Sequence, residues 1–534
     1  MDVVHVRPSR RARQHKGRSS FLLILALLMA AVVLVGTTLK SHVLVTADLR
    51  PQDVLWNLAQ HRPRQKQEAR RPIDYVQQYG ALEASEYPRE CQDQYHGLPY
   101  FEHVKASWQQ PVCEPQEGTA LGSSLRCHYQ IDEYPEMHCT GTNLVLDLRK
   151  FEEENALVPK ESNNTGPTGL FEEHPRPGLK GELLGDCKLV GVTGGANRWQ
   201  ESDFGKGGQR WLFNSFQSTL GEAQQPHCVA WVDHPVYFLN DKYDSFNLWH
   251  ALEDLTHAFE AYALKGWGAE AQVVVMDGGS VESVLALPYR PVWLKVLSPQ
   301  RRPVLLRQLV AETRARYGAD LPPSAALCFR DAFFSVHGGI SILSRSIRGP
   351  TPCVNSTFIR AMARFITDGL QLTGVQPPSR AEDSAAGQPK MRVVWALRSN
   401  RAGRQDEILD LLHQRLPGLN AELVTMDFGK LPLEEQIRQV RSTDVLAGYH
   451  GAALTLACFM DYRGALVEIE EEWRCACYTN CARWQGLDYR LIKVAEVQNG
   501  GESGVLAARV LDDVQASLRV VQQRIRDGTR ATHR

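Results

Sequence analysis

The chain has 534 residues, 60 Lys and Arg against 61 Asp and Glu, and a formal net charge of -1. That length suits two or three domains, and so even a balance of charge supplies no basic field for nucleic acid, which is excluded as the starting expectation. Twelve cysteines in a chain of this size point to disulfide bracing in an oxidising compartment.

The first twenty residues carry Arg7, Arg10, Arg11, Arg13, Lys16 and Arg18, and an uncharged apolar run follows from Phe21 to Leu39. At about 1.5 Å per residue the run comes close to the ~30 Å of a bilayer core, and it exceeds the ~7–15 residue apolar region of a cleaved signal. The expectation is a cytoplasmic tail over 1–20, a retained signal anchor over 21–39, and type II topology with the body lumenal, since positive charge stays on the cytoplasmic side. Cleavage near Val45-Thr-Ala47 is the alternative. Every cysteine then falls on the lumenal side, as do the acceptor sequons at Asn163 and Asn355, which fits a single-pass protein of the Golgi or endoplasmic reticulum membrane.

Residues 40–88 are rich in Gln, Arg and Pro with no apolar period, and read as a stem. The body opens at Cys91 with four cysteines up to Cys139, whose pairing spacing alone does not fix. Strands are expected at 143–148, 229–232, 236–239, 271–276, 327–329 and 332–336, with helices between them, so the 89–374 lobe reads as α/β with a mostly parallel sheet. A helix capped by Asp244 or Ser245 carries Phe246, Trp249, Leu252, Leu255 and Phe259 at helical spacing and stops at Gly266.

The stretch 375–390 has almost nothing to bury and reads as a linker. A second α/β pattern restarts in 391–534: strands at 392–397, 421–426, 444–447 and 465–469, helices at 406–416, 433–441 and 452–460, and a closing helix from about 504 to 527. Two α/β lobes with a cleft between them place ligand chemistry at strand C-termini.

Four groups of residues stand where chemistry is expected. The Asp444–Leu454 segment runs from a buried strand into His450, Gly451, Ala452 and Ala453, a corner where small residues admit a diphosphate to the backbone and a helix start offers N–H groups. An ordinary strand-to-helix turn is the competing reading. Arg398 and Ser399 follow the strand at 392–397, where a guanidinium can grip a diphosphate with two parallel bonds. Glu468, a carboxylate on an apolar strand, needs either a ribose diol or a salt bridge. In the first lobe His250 and Asp254 share a helix face and could serve as base and orienting carboxylate, a plain helix-surface contact being the competing reading, with Asn247 and Asp277 as further cleft candidates. No Asp-x-Asp triplet, dinucleotide glycine fingerprint or phosphate-loop motif is present. No metal ligands or cofactor are assigned on this reading, and divalent-cation dependence stays open. The cluster Cys475-Ala-Cys477-x-x-x-Cys481 reads as disulfide in preference to zinc.

In this order and spacing, Ser124–Cys127, Cys139–Arg149, Cys187–Leu189, Pro235–Phe238, Asn247-x-x-His250-x-x-x-Asp254, Cys328–Ser335, Leu397–Ser399, the Asp444–Leu454 corner and Glu468 resemble glycosyltransferase family 61. The resemblance implies a GT-B pair of Rossmann-like lobes and inverting transfer from a UDP-sugar to a hydroxyl of a secreted or membrane glycoprotein. Within the family it points first to transfer of O-linked N-acetylglucosamine to Ser/Thr of EGF-like domains, then to β-1,2-xylosyl transfer to N-glycans. A lumenal glycan-binding protein without turnover is the reading from another class. The implied roles are Arg398 and the His450 corner on the diphosphate, Glu468 on the ribose, and a base from the His250/Asp254 helix.

Overall fold

The computed structural model describes residues 70–83, 91, 97–107, 111–130, 136–148, 150–151, 183–190, 192–193, 196–197, 216–220, 226–239, 247–276, 288–334, 343, 349–377, 379, 390–398, 402–472, 475–498 and 504–532. The expected tail, anchor and most of the stem, Asn163, Asp277, Ser399 and most of the linker lie outside these residues. Among the described residues no helix is long and apolar enough to cross a membrane.

In the first part of the body, α1 (Pro72–Glu83) and α2 (Leu98–Ser107) precede strands β1 (Pro111–Glu114), β2 (Ser124–Gln130), β3 (Glu136–Asp147), β4 (Leu183–Gly185), β5 (Lys188–Leu189), the isolated pair β6 (Val192–Thr193) and β7 (Ala196–Asn197), β8 (Phe216–Ser218), β9 (His227–Val232) and β10 (Val236–Leu239). Helix α3 (Leu248–Lys265), β11 (Gln272–Val275), β12 (Val304–Leu305), α4 (Leu306–Tyr317), β13 (Ala325–Phe334) and α5 (Thr357–Gly369) follow. The eleven-stranded sheet runs β12-β11-β10-β13-β3-β2-β1-β5, with β9 on β13, β4 on β3 and β8 on β4.

This sheet is mixed, not mostly parallel as the sequence pattern suggested. β10, β11, β12, β13 and β9 pair in parallel, whereas β13/β3, β3/β2, β2/β1 and β1/β5 are antiparallel. The reason is loop length: β2 and β3 are separated by five residues, and a parallel pair needs a crossover of about a dozen or more. Strand β13 is also one strand where two were expected. The charged pair that seemed to interrupt it is accommodated, with the Arg330 guanidinium 3.5 Å over the Trp231 ring and Asp331 in a 2.7 Å salt bridge to Lys265.

The second part has strands β14 (Met391–Ala396), β15 (Ala421–Met426), β16 (Val445–Tyr449), β17 (Ala465–Glu470) and β18 (Asp488–Lys493), with helices α6 (Ala402–Arg415), α7 (Leu433–Arg441), α8 (Cys477–Gln485) and α9 (Val505–Thr532). All four pairings are parallel and the order is β15-β14-β16-β17-β18. Numbered within this sheet, the order is 2-1-3-4-5, a doubly wound topology whose direction of winding reverses between β14 and β16. Near-continuous apolar runs produce these strands because both faces are covered. Gly448 lies where the two central strands crowd: a Cβ there would stand 3.1 Å from the Ala396 Cβ and 3.2 Å from its carbonyl oxygen.

One apolar cluster fills the space between the sheets, drawing Tyr237 and Val273 from the first, Val394 and Leu446 from the second, and Phe259, Phe358, Phe459 and Trp484 from the segments between. Six disulfides join all twelve cysteines: Cys91–Cys353, Cys113–Cys187, Cys127–Cys139, Cys228–Cys328, Cys458–Cys481 and Cys475–Cys477.

Candidate active site

The winding reversal between β14 and β16 is where an open α/β sheet forms a crevice beyond its strand C-termini. Arg398 stands two residues past the end of β14 and His450 one past the end of β16. The Arg398 guanidinium donates through Nη1 to the His450 carbonyl and lies against Gly451, where a Cβ would come within 3.2–3.4 Å of its atoms. Gly451 therefore provides the room in which the guanidinium rests. Buried Gln405 of α6 fixes this turn: its side chain accepts from the Trp395 indole at 3.0 Å and from the Arg398 N–H at 3.1 Å, and donates to the Arg398 carbonyl at 2.7 Å.

His450 is held from three sides. Its Nδ1 and Glu468 Oε1 are 2.5 Å apart, its ring centroid lies 4.8 Å from that of Tyr478, and its Nε2 lies 3.8 Å from Cys475 Sγ. A carboxylate can only accept, so Nδ1 donates and the ring is turned with Nε2 away from Glu468. The other carboxylate oxygen accepts from the Tyr489 hydroxyl at 2.8 Å, and Tyr489 in turn accepts from Thr479 at 2.7 Å. Burial, reinforced by the charge of Glu468, pushes the Tyr489 hydroxyl far above its ordinary range, so it stays a donor. Glu468 is 2% exposed with both oxygens engaged by protein. The carboxylate expected on a ribose is here bonded to His450 and Tyr489.

The segment after the corner, Ala452–Phe459, is helical as expected, and of the 3-10 type. It is eight residues long, buried from Leu454 to Phe459, and tied through Cys458 to α8. Its Leu454 N–H returns to the Gly451 carbonyl at 2.9 Å, the i to i+3 pattern that starts the tighter turn. The early N–H groups of such a segment lack partners within it, as those of an α-helix do.

Helix α3 brings the first part of the body to the same place. Its cap is Asn247, which accepts from the Trp249 N–H at 3.0 Å, and not Asp244 or Ser245; Gly266, at φ 65°, ends it as expected. Asn247 thus serves the helix start. Trp249 packs edge-on against Tyr478 at 6.0 Å, so α3, Tyr478 and His450 form one contact chain. From Leu248 to Leu264 every residue except His250 is buried. His250 bonds Glu253 at 2.8 Å, and Asp254, the carboxylate expected to orient it, is buried on the same helix at 3% exposure. His250–Glu253 is thus a pair that could act as base and orienting carboxylate, with a His250 side chain 23% exposed and a Glu253 side chain 2% exposed.

The structure thus gathers Arg398, His450, Gly451, Ala452 and Glu468 at one corner, with the start of α3 one aromatic contact away. Gln405, Tyr478, Tyr489, Thr479 and Cys475 complete that corner and were not anticipated as its parts. No local signal marks them, since each reaches the corner only through tertiary packing. The Cys475–Cys477 pair is a disulfide, as favoured over zinc. Asn355 lies at φ 58° just before α5; Ser356 caps that helix by accepting from the Ile359 N–H at 3.2 Å, and Thr357 is buried.

Residues 249–467 match the family model described as Glycosyltransferase 61. Over 408 residues the chain is 25% identical to the EGF domain-specific O-linked N-acetylglucosamine transferase of Drosophila melanogaster, covering 71% of this chain and 65% of that protein. The proteins of the same name from Xenopus laevis and Pan troglodytes are 24% and 23% identical, each over 71% of this chain and over 64% and 63% of their own length. The chain therefore spans less than two thirds of each of these relatives. Among solved structures, the glycosyltransferase SnogD from Streptomyces nogalater is similar at 13% identity and a TM-score of 0.20, over 54% of this chain and 94% of that one, a likeness too slight to bear on the fold.

Proposed function

We propose that this chain, which belongs to the glycosyltransferase 61 family over residues 249–467, moves a sugar from a UDP-sugar to a protein hydroxyl, with N-acetylglucosamine as donor sugar and Ser/Thr of EGF-like domains as acceptor. The observation that carries this is the placing of Arg398 and the His450 corner on the two strands that flank the winding reversal of a 2-1-3-4-5 parallel sheet. The names of the similar transferases support the choice of sugar and acceptor. A GT-B pairing of two lobes and inversion at the anomeric carbon belong to the same proposal.

In the reaction, Arg398 and the first N–H groups of the Ala452–Phe459 segment hold the UDP diphosphate, and Glu468, Tyr489 and Tyr478 keep His450 and the corner in place. The acceptor oxygen attacks the anomeric carbon while its proton passes to His250, whose Nδ1 is held by Glu253. The bond from that carbon to the diphosphate oxygen breaks, and UDP leaves with its added negative charge facing Arg398. Fixed donors aimed at that charge are the largest source of acceleration in such a site. Six disulfides and the lumenal sequons support a secretory-pathway body, and we place the anchor at residues 21–39.

The test uses purified full-length chain with a panel of UDP-sugars and two acceptors, a folded EGF-like domain and an N-glycan. The expected product is the EGF-like domain heavier by one N-acetylhexosamine residue. A gain of one pentose on the N-glycan would replace this proposal with β-1,2-xylosyl transfer, and UDP binding without any product would leave a binding protein.

A further inference from the structure

About two turns beyond His250, on the same helix, a second polar cluster is sealed inside the molecule. His257 and Glu260 of α3 are three apart and so share one face, and both are fully buried at 0% exposure. His138 of β3, also at 0%, meets them: its Nε2 is 3.3 Å from Glu260 Oε1, and one donor atom from each of the three residues lies within 4.8 Å of the others. Tyr100 of α2 donates its hydroxyl to the same Glu260 oxygen at 2.5 Å. His128, the register partner of His138 across the β2–β3 hairpin, stacks on it at 6.2 Å. Three elements distant in sequence thus converge on one carboxylate and two imidazoles.

We propose that His138, His257 and Glu260 form a zinc site that ties β3 to α3. Two imidazoles and one carboxylate are a three-ligand set that zinc accepts, with a water completing the tetrahedron. Ligand atoms about 2.0–2.1 Å from an ion at tetrahedral angles stand about 3.4 Å from one another, close to the His138–Glu260 separation. A divalent ion held by two neutral imidazoles would balance the charge of the buried Glu260 carboxylate. The Tyr100 hydroxyl then acts as the outer group that orients a ligating carboxylate. His257 is seven residues from His250, about 10 Å along the helix axis. The ion would hold α3 in register with the sheet and so fix where its His250 end meets Tyr478. The sequence offered a weak sign of it in His257-x-x-Glu260, which reads as an ordinary helix pair until His138 is brought to it.

The experiment measures metal content by mass spectrometry on full-length chain purified without metal-affinity steps, together with the zinc X-ray absorption edge and thermal melting with and without chelator. One equivalent of zinc per chain, nitrogen and oxygen ligation without sulfur, and a lower melting temperature on chelation that added zinc reverses are expected. His257→Ala and the isosteric Glu260→Gln should each reduce zinc to traces. A wild-type chain free of stoichiometric metal, whose melting responds to neither chelator nor zinc, would overturn the site and leave a hydrogen-bonded polar network. Full zinc retained in both variants would also overturn it by placing the ion elsewhere. None of these readouts depends on sugar transfer, so the proposed activity stands or falls separately.

Discussion

The two sheets handle charge in opposite ways. The five-stranded sheet has largely apolar central strands and gathers Arg398 and His450 at their C-terminal ends, beside the crevice its strand order creates. The eleven-stranded sheet packs against a helix that buries Glu253, Asp254, His257 and Glu260, and its antiparallel half is cross-linked by the Cys127–Cys139 and Cys113–Cys187 disulfides. A uniformly parallel sheet has two chemically distinct ends and offers a ready site at one of them. The mixed sheet has no such end, and the part of the chemistry proposed for it rests on His250, partly exposed on a helix otherwise buried from Leu248 to Leu264.

If that division of labour is right, removing His250 should damage turnover and spare donor binding. His250→Ala is expected to lower kcat by about 10²- to 10⁴-fold, the usual range for a lost general base, with UDP affinity unchanged. A matching loss of UDP affinity would erase the distinction between the two sheets. Within the parallel sheet, Tyr489→Phe removes one hydrogen bond from Glu468 while keeping the ring. A bond to a charged group is worth about 1.5–3 kcal/mol, so a loss of roughly tenfold or more in donor affinity, with the fold intact, is expected in calorimetry.

The smallest expected effect concerns Glu470, at the end of β17. Burial, then the charge of Glu468, raises its carboxyl above the ordinary 4.5. The native chain therefore holds this proton to higher pH than the unfolded chain does, so this group's contribution to stability declines as pH rises from about 4.5 through the raised native value. Glu470→Gln should flatten that decline and raise the melting temperature at neutral pH, and an unchanged pH profile of melting would count against the assignment.

The parallel sheet was the more legible of the two. Strands buried on both faces leave unbroken apolar runs, so β14, β15, β16 and β17 could be read to within a residue or two at each end, and the His450 corner announced itself through its small residues. β18 was missed because Asp488-Tyr-Arg-Leu-Ile-Lys493 is a half-buried edge strand with mixed polarity. The partners of His450 were invisible for a different reason: Tyr478 and Tyr489 are ordinary residues until α8 and β18 fold back onto β17. In the mixed sheet, Arg330 and Asp331 disguised one strand as two, because the groups that neutralise them come from Trp231, Asp233 and Lys265 elsewhere in the chain. Helical spacing places both Glu253 and Asp254 on the His250 side of the helix, and only the folded chain shows the 2.8 Å bond to Glu253.

The central claim is that the crevice between β14 and β16 binds the UDP diphosphate through Arg398. Titration calorimetry of UDP into the full-length chain and its Arg398→Ala variant tests it most directly, with thermal melting to confirm that the variant folds. The account predicts saturable binding to the wild type and a loss of about tenfold or more in the variant, the size of a charge-assisted contact of some 1.4 kcal/mol or above. Equal affinity in the two proteins would contradict it.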